Sequence, residues 1–171
     1  MAEVCAERGY AEASVAAVAK RAGVSSVTFY KQFAGKQDCM LAAHRQLLGR
    51  LLEEVDRVRE PEAEGEGKVR ATIGSALALF AADPPSARLL TTEILAAGPQ
   101  GAKRHDAMVG ALASRLQVTA DRGEGDPSLS NADWVRAAGM LALIGKLVMA
   151  GEASRLLELE EELVATIPLQ S

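Results

Sequence analysis

Residues 14–36 read SVAAVAKRAGVSSVTFYKQFAGK, and the spacing of their capping, apolar and turn residues decides what kind of fold this chain takes. Ser14 stands where a helix N-cap belongs, because its hydroxyl can accept from a backbone amide two or three residues further on. Val15, Val18, Ala19 and Ala22 recur on one helical face until Gly23 ends it. Ser25 then caps a second short helix carrying Val27, Phe29 and Tyr30, and Phe33 closes the unit from beyond it. A scaffold helix, a tight turn and a second helix that opens on small polar residues are the parts of a helix-turn-helix, whose second helix can enter the major groove of DNA.

Outward from this block the helical period continues in both directions. Upstream, Val4, Cys5 and Ala6 lead to Gly9, whose tolerance of positive φ suits a helix end. Downstream, Met40, Leu47, Leu51, Val55 and Val58 line one side of a long helix from Lys36 toward Arg59. The stretch Glu60 to Lys68 reads as an exposed connection, and Ile73, Leu77 and Phe80 mark a helix ending near Asp83. Asp83 can cap a helix that opens on Pro84 and Pro85 and carries Leu89, Leu90, Ile94 and Leu95 up to Gly98. Another helix starts near Ala102 and carries Met108, Leu112 and Leu116. After a polar stretch from Asp121 to Ser130, two final helices run from Asn131 to about Met149 and from Glu152 to about Ile167. No alternating run makes a strand, so the fold class is all-α: a helix-turn-helix domain over residues 1–45 and a larger helical domain over 46–171.

Composition agrees. Of the 171 residues 49% are hydrophobic and 25% charged, enough to bury a core. The net charge of −4 hides an asymmetry, since Met1 to Arg45 holds six basic residues against four acidic ones while the rest is acidic. Cys5 and Cys39 are far apart, lack metal-ligand spacing, and read as buried free thiols of a reducing cytoplasm. The longest apolar stretch, Ala137 to Ala150, is interrupted by Lys146 and falls short of the roughly 20 residues that span a bilayer. A cytoplasmic protein without a membrane role is therefore expected. His44 and His105 read as structural histidines, since no cysteine or carboxylate pattern completes a metal site around either. The acidic run from Glu158 to Glu162 reads as a solvated helix side. No GxSxG, HExxH or phosphate-loop spacing occurs, so neither an enzyme nor a bound cofactor is expected.

Within the helix-turn-helix, Ser26, Val27 and Thr28 are candidates to touch base edges: hydroxyls donate or accept there, and a small apolar side chain meets a thymine methyl. Gln32 can reach a base or a phosphate. Tyr30, Lys31 and Lys36 suit the phosphate backbone, as do the capping hydroxyls of Ser14 and Ser25. Val18, Ala22, Val24, Phe29 and Phe33 would form the small core that sets the angle between the helices.

Residues 6–43, AERGYAEASVAAVAKRAGVSSVTFYKQFAGKQDCMLAA, resemble the DNA-binding domain of the TetR family of regulators. The Gly-Tyr pair before Ser14, the Ala-Gly-Val turn at Ala22 to Val24, the Phe29–Tyr30 pair, Phe33 and Lys36 together carry the likeness. It implies a recognition helix over about 25–31, with Thr28, Tyr30 and Lys36 at positions that contact DNA. It also implies that 46–171 is an effector-binding and dimerisation domain, and that the chain acts as a homodimer on a palindromic double-stranded DNA operator, released by a small-molecule effector. Two features depart from the family: further residues, often basic, usually precede the first helix, and Ala16 stands where a longer polar side chain is common. The first of these, with the overall acidity, motivates the alternative of a dimeric small-molecule-binding or interaction protein whose helix-turn-helix no longer binds DNA usefully.

In the last two helices, Trp134, Val135, Ala138, Leu141, Ala142, Gly145 and Val148 form a face with several small residues, to which Leu156, Leu163 and Ile167 add a second. These are the expected dimer interface. The expected effector pocket is lined by Phe80, Leu90, Ile94, Met108, Leu112 and Trp134, with Thr91, Thr92 and His105 adding polar contacts, a lining that suits an apolar or aromatic ligand.

Overall fold

Both serines that open the helix-turn-helix act as caps in the computed structural model: Ser14 Oγ accepts from Ala17 N at 3.1 Å and Ser25 Oγ from Thr28 N at 3.0 Å. The structure describes residues 1–58, 65–116 and 129–167, and among these residues there is no strand. Helices α1 (Ala2–Glu12), α2 (Val15–Arg21) and α3 (Ser26–Gln32) form the head, and α4 (Lys36–Val58) leads out of it. Gly9 and Gly23 take φ of 76° and 69°, which breaks α1 internally and turns the chain between α2 and α3. The body comprises α5 (Gly65–Ala82), α6 (Pro84–Thr91), a 3-10 segment (Glu93–Ala97), α7 (Pro99–Leu116), α8 (Asn131–Met149), a second 3-10 segment (Ala153–Leu159) and α9 (Glu160–Val164). The polar stretch expected over Asp121 to Ser130 lies mostly outside the described residues.

The structure corrects four boundaries. Part of the expected connection, Gly65 to Lys68, is the first turn of α5, where Glu66 pairs with Arg70 one turn later at 2.7 Å. The helix beginning at Ala102 in the sequence reading begins at Pro99. The helix expected to run from Pro84 to Gly98 stops at Thr91. The hydroxyls of Thr91 and Thr92 bond back to the Ala87 and Arg88 carbonyls, both at 2.8 Å, and compete with the helical ladder; Thr92 leaves it at φ −129° and ψ −53°. The final long helix is instead a 3-10 segment followed by α9. Like charges at Glu158, Glu161 and Glu162 oppose regular winding, while Glu160 and Glu161 are drawn to Arg70 of α5.

Two apolar clusters form. The body cluster includes Val55, Val69, Leu77, Phe80, Met108, Ile144 and Leu156. The head cluster includes Val4, Cys5, Tyr10, Val18, Phe29 and Met40, together with Leu89, Ile94 and Ala97 from the α6 and 3-10 region. The head therefore does not close on itself at residue 45: α4 runs unbroken through that point, and residues 89–97 complete the head's core.

His44, fully buried on α4, has no hydrogen-bond partner for either ring nitrogen among the described residues. Burial, reinforced by Arg104 and His105, pushes its pKa down from 6.5 to about 4. Between those two values the unfolded chain holds a proton that the folded chain does not, so stability is intact above pH 6.5 and falls as pH drops toward 4. The slope is up to about 1.4 kcal/mol per pH unit for this one group. We predict that His44→Leu, which removes the orphaned nitrogens, is at least as stable as the parent at pH 7.5 and loses less stability at pH 5. Urea denaturation at the two pH values checks this; an equal loss in both proteins would refute it.

Candidate nucleic-acid interface and effector cavity

The face that α3 presents is fixed by one aromatic anchor. Phe29 is buried, with its ring 5.2 Å from that of Phe33 and edge-on to that of Tyr30 at 5.5 Å. Anchoring this side turns Val27, 69% exposed, and Tyr30, 58% exposed, outward together with Lys31, at the one-turn spacing of a single helical face. Ser26, Thr28 and Gln32 are also exposed, and the Thr28 hydroxyl lies 3.0 Å from that of Ser25. Ser14 is exposed, and a hydroxyl that accepts from a helix amide keeps its proton for another acceptor. Of the five residues expected to set the helix angle, Val18 and Phe29 are buried and Phe33 is partly buried. Ala22 and Val24 are exposed, because the turn at Gly23 lifts both off the core.

Lys36 is engaged within the head. Its ammonium donates to the Tyr10 carbonyl at 2.9 Å and the Ala11 carbonyl at 3.1 Å, and sits 4.5 Å above the centre of the Tyr10 ring. It closes the C-terminal end of α1, where a cation complements the negative end of the helix dipole. Arg21 is likewise held within the head, by Glu3 at 2.8 Å and by Glu7. Lys20 and Lys31 are exposed.

A cavity of about 40 Å³ lies among α5, α7, α8 and α9, lined by Thr72, Leu77, Phe80, Leu112, Met140 and Ile144, among other apolar side chains. The Thr72 hydroxyl is committed to the Lys68 carbonyl at 2.9 Å, so the wall offers almost no polar recognition. Of the pocket residues predicted from the sequence, Phe80 and Leu112 line this cavity. Leu90 and Met108 pack in the body core without lining it, and Thr91 bonds to Ala87. Ile94 belongs to the head core, His105 is partly buried on α7, and Trp134 is exposed. The sequence reading missed Thr72, Met140 and Ile144, since heptad-like spacing shows which residues are buried but not which of them leave a gap.

Residues 2–43 match the family model of bacterial regulatory proteins, tetR family. Over those residues the chain is similar to the N-terminal domain of that family. A Fatty acid metabolism regulator protein of Bacillus subtilis (strain 168) is 31% identical over 81 residues, which span 47% of this chain and 42% of that relative's length. The TetR-type fold extends over the whole chain. FadR from Bacillus subtilis, solved in complex with stearoyl-CoA, superposes with a TM-score of 0.79 at 20% identity, over 97% of this chain and 93% of that one. The fatty acid degradation regulator FadR from Bacillus halodurans gives 0.81 at 21% identity, over 97% and 92%. A transcriptional regulator from Rhodococcus sp. Rha1 gives 0.65 at 25% identity, over 97% and 89%.

On this TetR-type frame the residues expected to pair two chains divide in two. Leu141, Gly145, Val148, Leu156, Leu163 and Ile167 are buried within the chain, because α8 and the segments after it pack on α5, α6 and α7. Trp134, Val135 and Ala142 are exposed and Ala138 partly so; with Met149 they leave an outward strip along α8. Also missed by the sequence reading is an ion pair between partly buried Arg88 and buried Glu93 that reaches α1. Its one local signal is a single carboxylate inside the apolar run from Leu89 to Ala97.

Lys36→Met keeps the stem over Tyr10 and deletes the donor, leaving two carbonyls without it. We predict a loss of about 1–3 kcal/mol in the absence of DNA. Thermal unfolding of the free protein measures it, and an unchanged midpoint would assign Lys36 no structural role.

Proposed function

We propose that this chain is a sequence-specific DNA-binding transcriptional regulator that acts as a homodimer and is released from its operator by a fatty acyl thioester. The observation that carries the reading is the outward face of α3, where an apolar Val27 flanked by hydroxyls and backed by Tyr30 and Lys31 stands clear of the head's core. Ser26, Val27 and Thr28 read base edges; Tyr30, Lys31, Gln32, Ser14 and Ser25 meet the backbone. Lys36 contributes by fixing α1 against α4. A reading head of this size covers one half-site, so affinity and spacing discrimination come from a pair of heads about 34 to 36 Å apart, or a multiple of that. The outward strip Val135, Ala138, Ala142 and Met149 supplies the face for pairing, with residues of small volume that let two helices approach.

The effector assignment is supported by two things: an almost wholly apolar cavity wall, and the stearoyl-CoA bound by the B. subtilis FadR. An acyl chain fits a wall with no polar demand. The fold and the relatives are those of regulators.

Selection from random duplex libraries, with and without stearoyl-CoA, tests the reading directly. We predict enrichment of a palindrome, and its loss when the thioester is added. Val27→Ser changes the selected base at one position of each half-site, whereas Lys31→Ala weakens all sequences alike and lowers the salt slope by about one. No enrichment at low salt would sink the proposal. Pairing is checked separately: Val135→Arg shifts sedimentation toward the single chain, and an unchanged dimer would move the interface elsewhere.

A further inference from the structure

Arg88 and Glu93 stand on either side of the point where α6 ends, and both reach into the head. Glu93 is 8% exposed, yet its carboxylate is fully engaged. Tyr10 N donates to Oε2 at 2.6 Å, while Nε of Arg88 donates to Oε1 at 2.8 Å and its Nη2 pairs with the same oxygen at 2.6 Å. The remaining arm of the same guanidinium, Nη1, donates to the Ala6 carbonyl at 2.9 Å. Nearby, Gln37 Nε2 donates to the Ala97 carbonyl at 2.7 Å, so α4 also grips the 3-10 segment. Buried ions are costly to desolvate and are compensated only in one arrangement of donors, so the pair tolerates little movement of α1 relative to α6.

The other side of the α6 end touches the cavity wall. Ile144 lines the cavity, and the next residue, Gly145, lies so close to α6 that a Cβ there would sit 3.2 Å from Thr91 Oγ1 and 3.0 Å from Thr92 Cγ2. A displacement of α8 at Ile144 is therefore delivered to Thr91 and Thr92, where the chain changes from α to 3-10. Arg88 precedes that change and Glu93 follows it. Altering the backbone between them alters their separation, and with it the fit to the Ala6 carbonyl and the Tyr10 amide.

We propose that the Arg88–Glu93 pair is the positioning device that fixes the reading head on the body, and that the α6 break, held by Gly145, sets its geometry. The last link, from cavity to operator, rests on the effector-responsive reading above; the joint itself does not. It is a chain of contiguous contacts with one place, Thr91–Thr92, at which two backbone arrangements meet.

Spin labels at Gln32→Cys on α3 and Ala107→Cys on α7, both exposed, report the head-to-body distance, and excess unlabelled chain keeps one labelled copy per pair. Cys5 and Cys39 are buried, and burial together with Glu93 raises the Cys5 thiol to about 11, so the native thiols do not compete for label. We expect one narrow distance in the parent and a broadened or shifted one in Glu93→Gln and Arg88→Lys, with melting still cooperative. Lysine keeps the charge but cannot span Glu93 and the Ala6 carbonyl together. Gly145→Ala, which leaves the pair's chemistry intact and pushes on Thr92, shifts the distance as well. An unshifted distance in Gly145→Ala, or in both cooperative pair variants, overturns the proposal.

The same variants are then assayed for operator affinity with and without stearoyl-CoA. A positioning role reduces to under about twofold a response that is of the order of 5- to 150-fold in coupled proteins. A merely structural role lowers the melting midpoint and leaves that ratio unchanged, and this too overturns the proposal. Where the parent ignores stearoyl-CoA, the effector assignment fails, and the distance measurement still decides the joint.

Discussion

A single buried carboxylate sets the terms on which the head and the body meet. Glu93 lies in an apolar run and gives up its hydration, a loss of several kcal/mol for an isolated ion. It is stable there because the Arg88 fork and the Tyr10 amide converge on it from two different helices. Apolar packing alone would allow α1 to slide over Leu89 and Ile94, since contacts between aliphatic groups are non-directional. The ionic contact is directional, so it converts a greasy surface into a defined register. The head's core then closes only when residues 89–97 are present, which makes head and body one mechanical object in spite of their two apolar clusters.

The same economy of charge shapes the reading surface. A net charge of −4 gives the chain as a whole no general attraction to polyphosphate. Within the head, Lys36 is drawn inward to α1 carbonyls and Arg21 to two glutamates, so two of its cations serve the fold. What remains outward is a short helix with an apolar tip, hydroxyls, a phenol and a lysine. On the proposed reading, such a surface would have a weak sequence-independent term, so shape and base-edge fit would carry a larger part of its recognition and pairing of two heads would matter correspondingly more.

The head was legible in the sequence because its determinants are local. Ser14 and Ser25 act within one turn, Gly23 turns the chain by its own φ, and Phe29 alternates inward at helical spacing. The breaks in the body were not legible, because they come from competition: Thr91 and Thr92 look like ordinary helix residues until their hydroxyls take the carbonyls of the previous turn. Glu160 and Glu161 look like a solvated side until Arg70, far away in sequence, claims them. The contacts of Lys36 with α1 were not legible for the same reason, its partners Tyr10 and Ala11 being set by how α4 returns past α1. The apolar face of α8 was read correctly as apolar. One period cannot tell a stripe facing α6, such as Gly145 and Val148, from one facing outward, such as Val135 and Ala142.

The size of the cavity constrains how any effector can act. About 40 Å³ is far below the roughly 300–1,000 Å³ of sites that enclose a small molecule. On the proposed reading, an acyl chain would enter this cavity by parting α5, α7 and α8, and its binding free energy would be reduced by the packing it disrupts. That cost is also the source of coupling, because a ligand that fitted the closed arrangement equally well would shift no equilibrium. Of the helices that must move, α8 is the one pressed against Thr91 and Thr92 through Gly145, with no slack between them. A tight core with a small void at that point is thus better suited to transmitting occupancy than a roomy preformed pocket, which would fill without displacing α6.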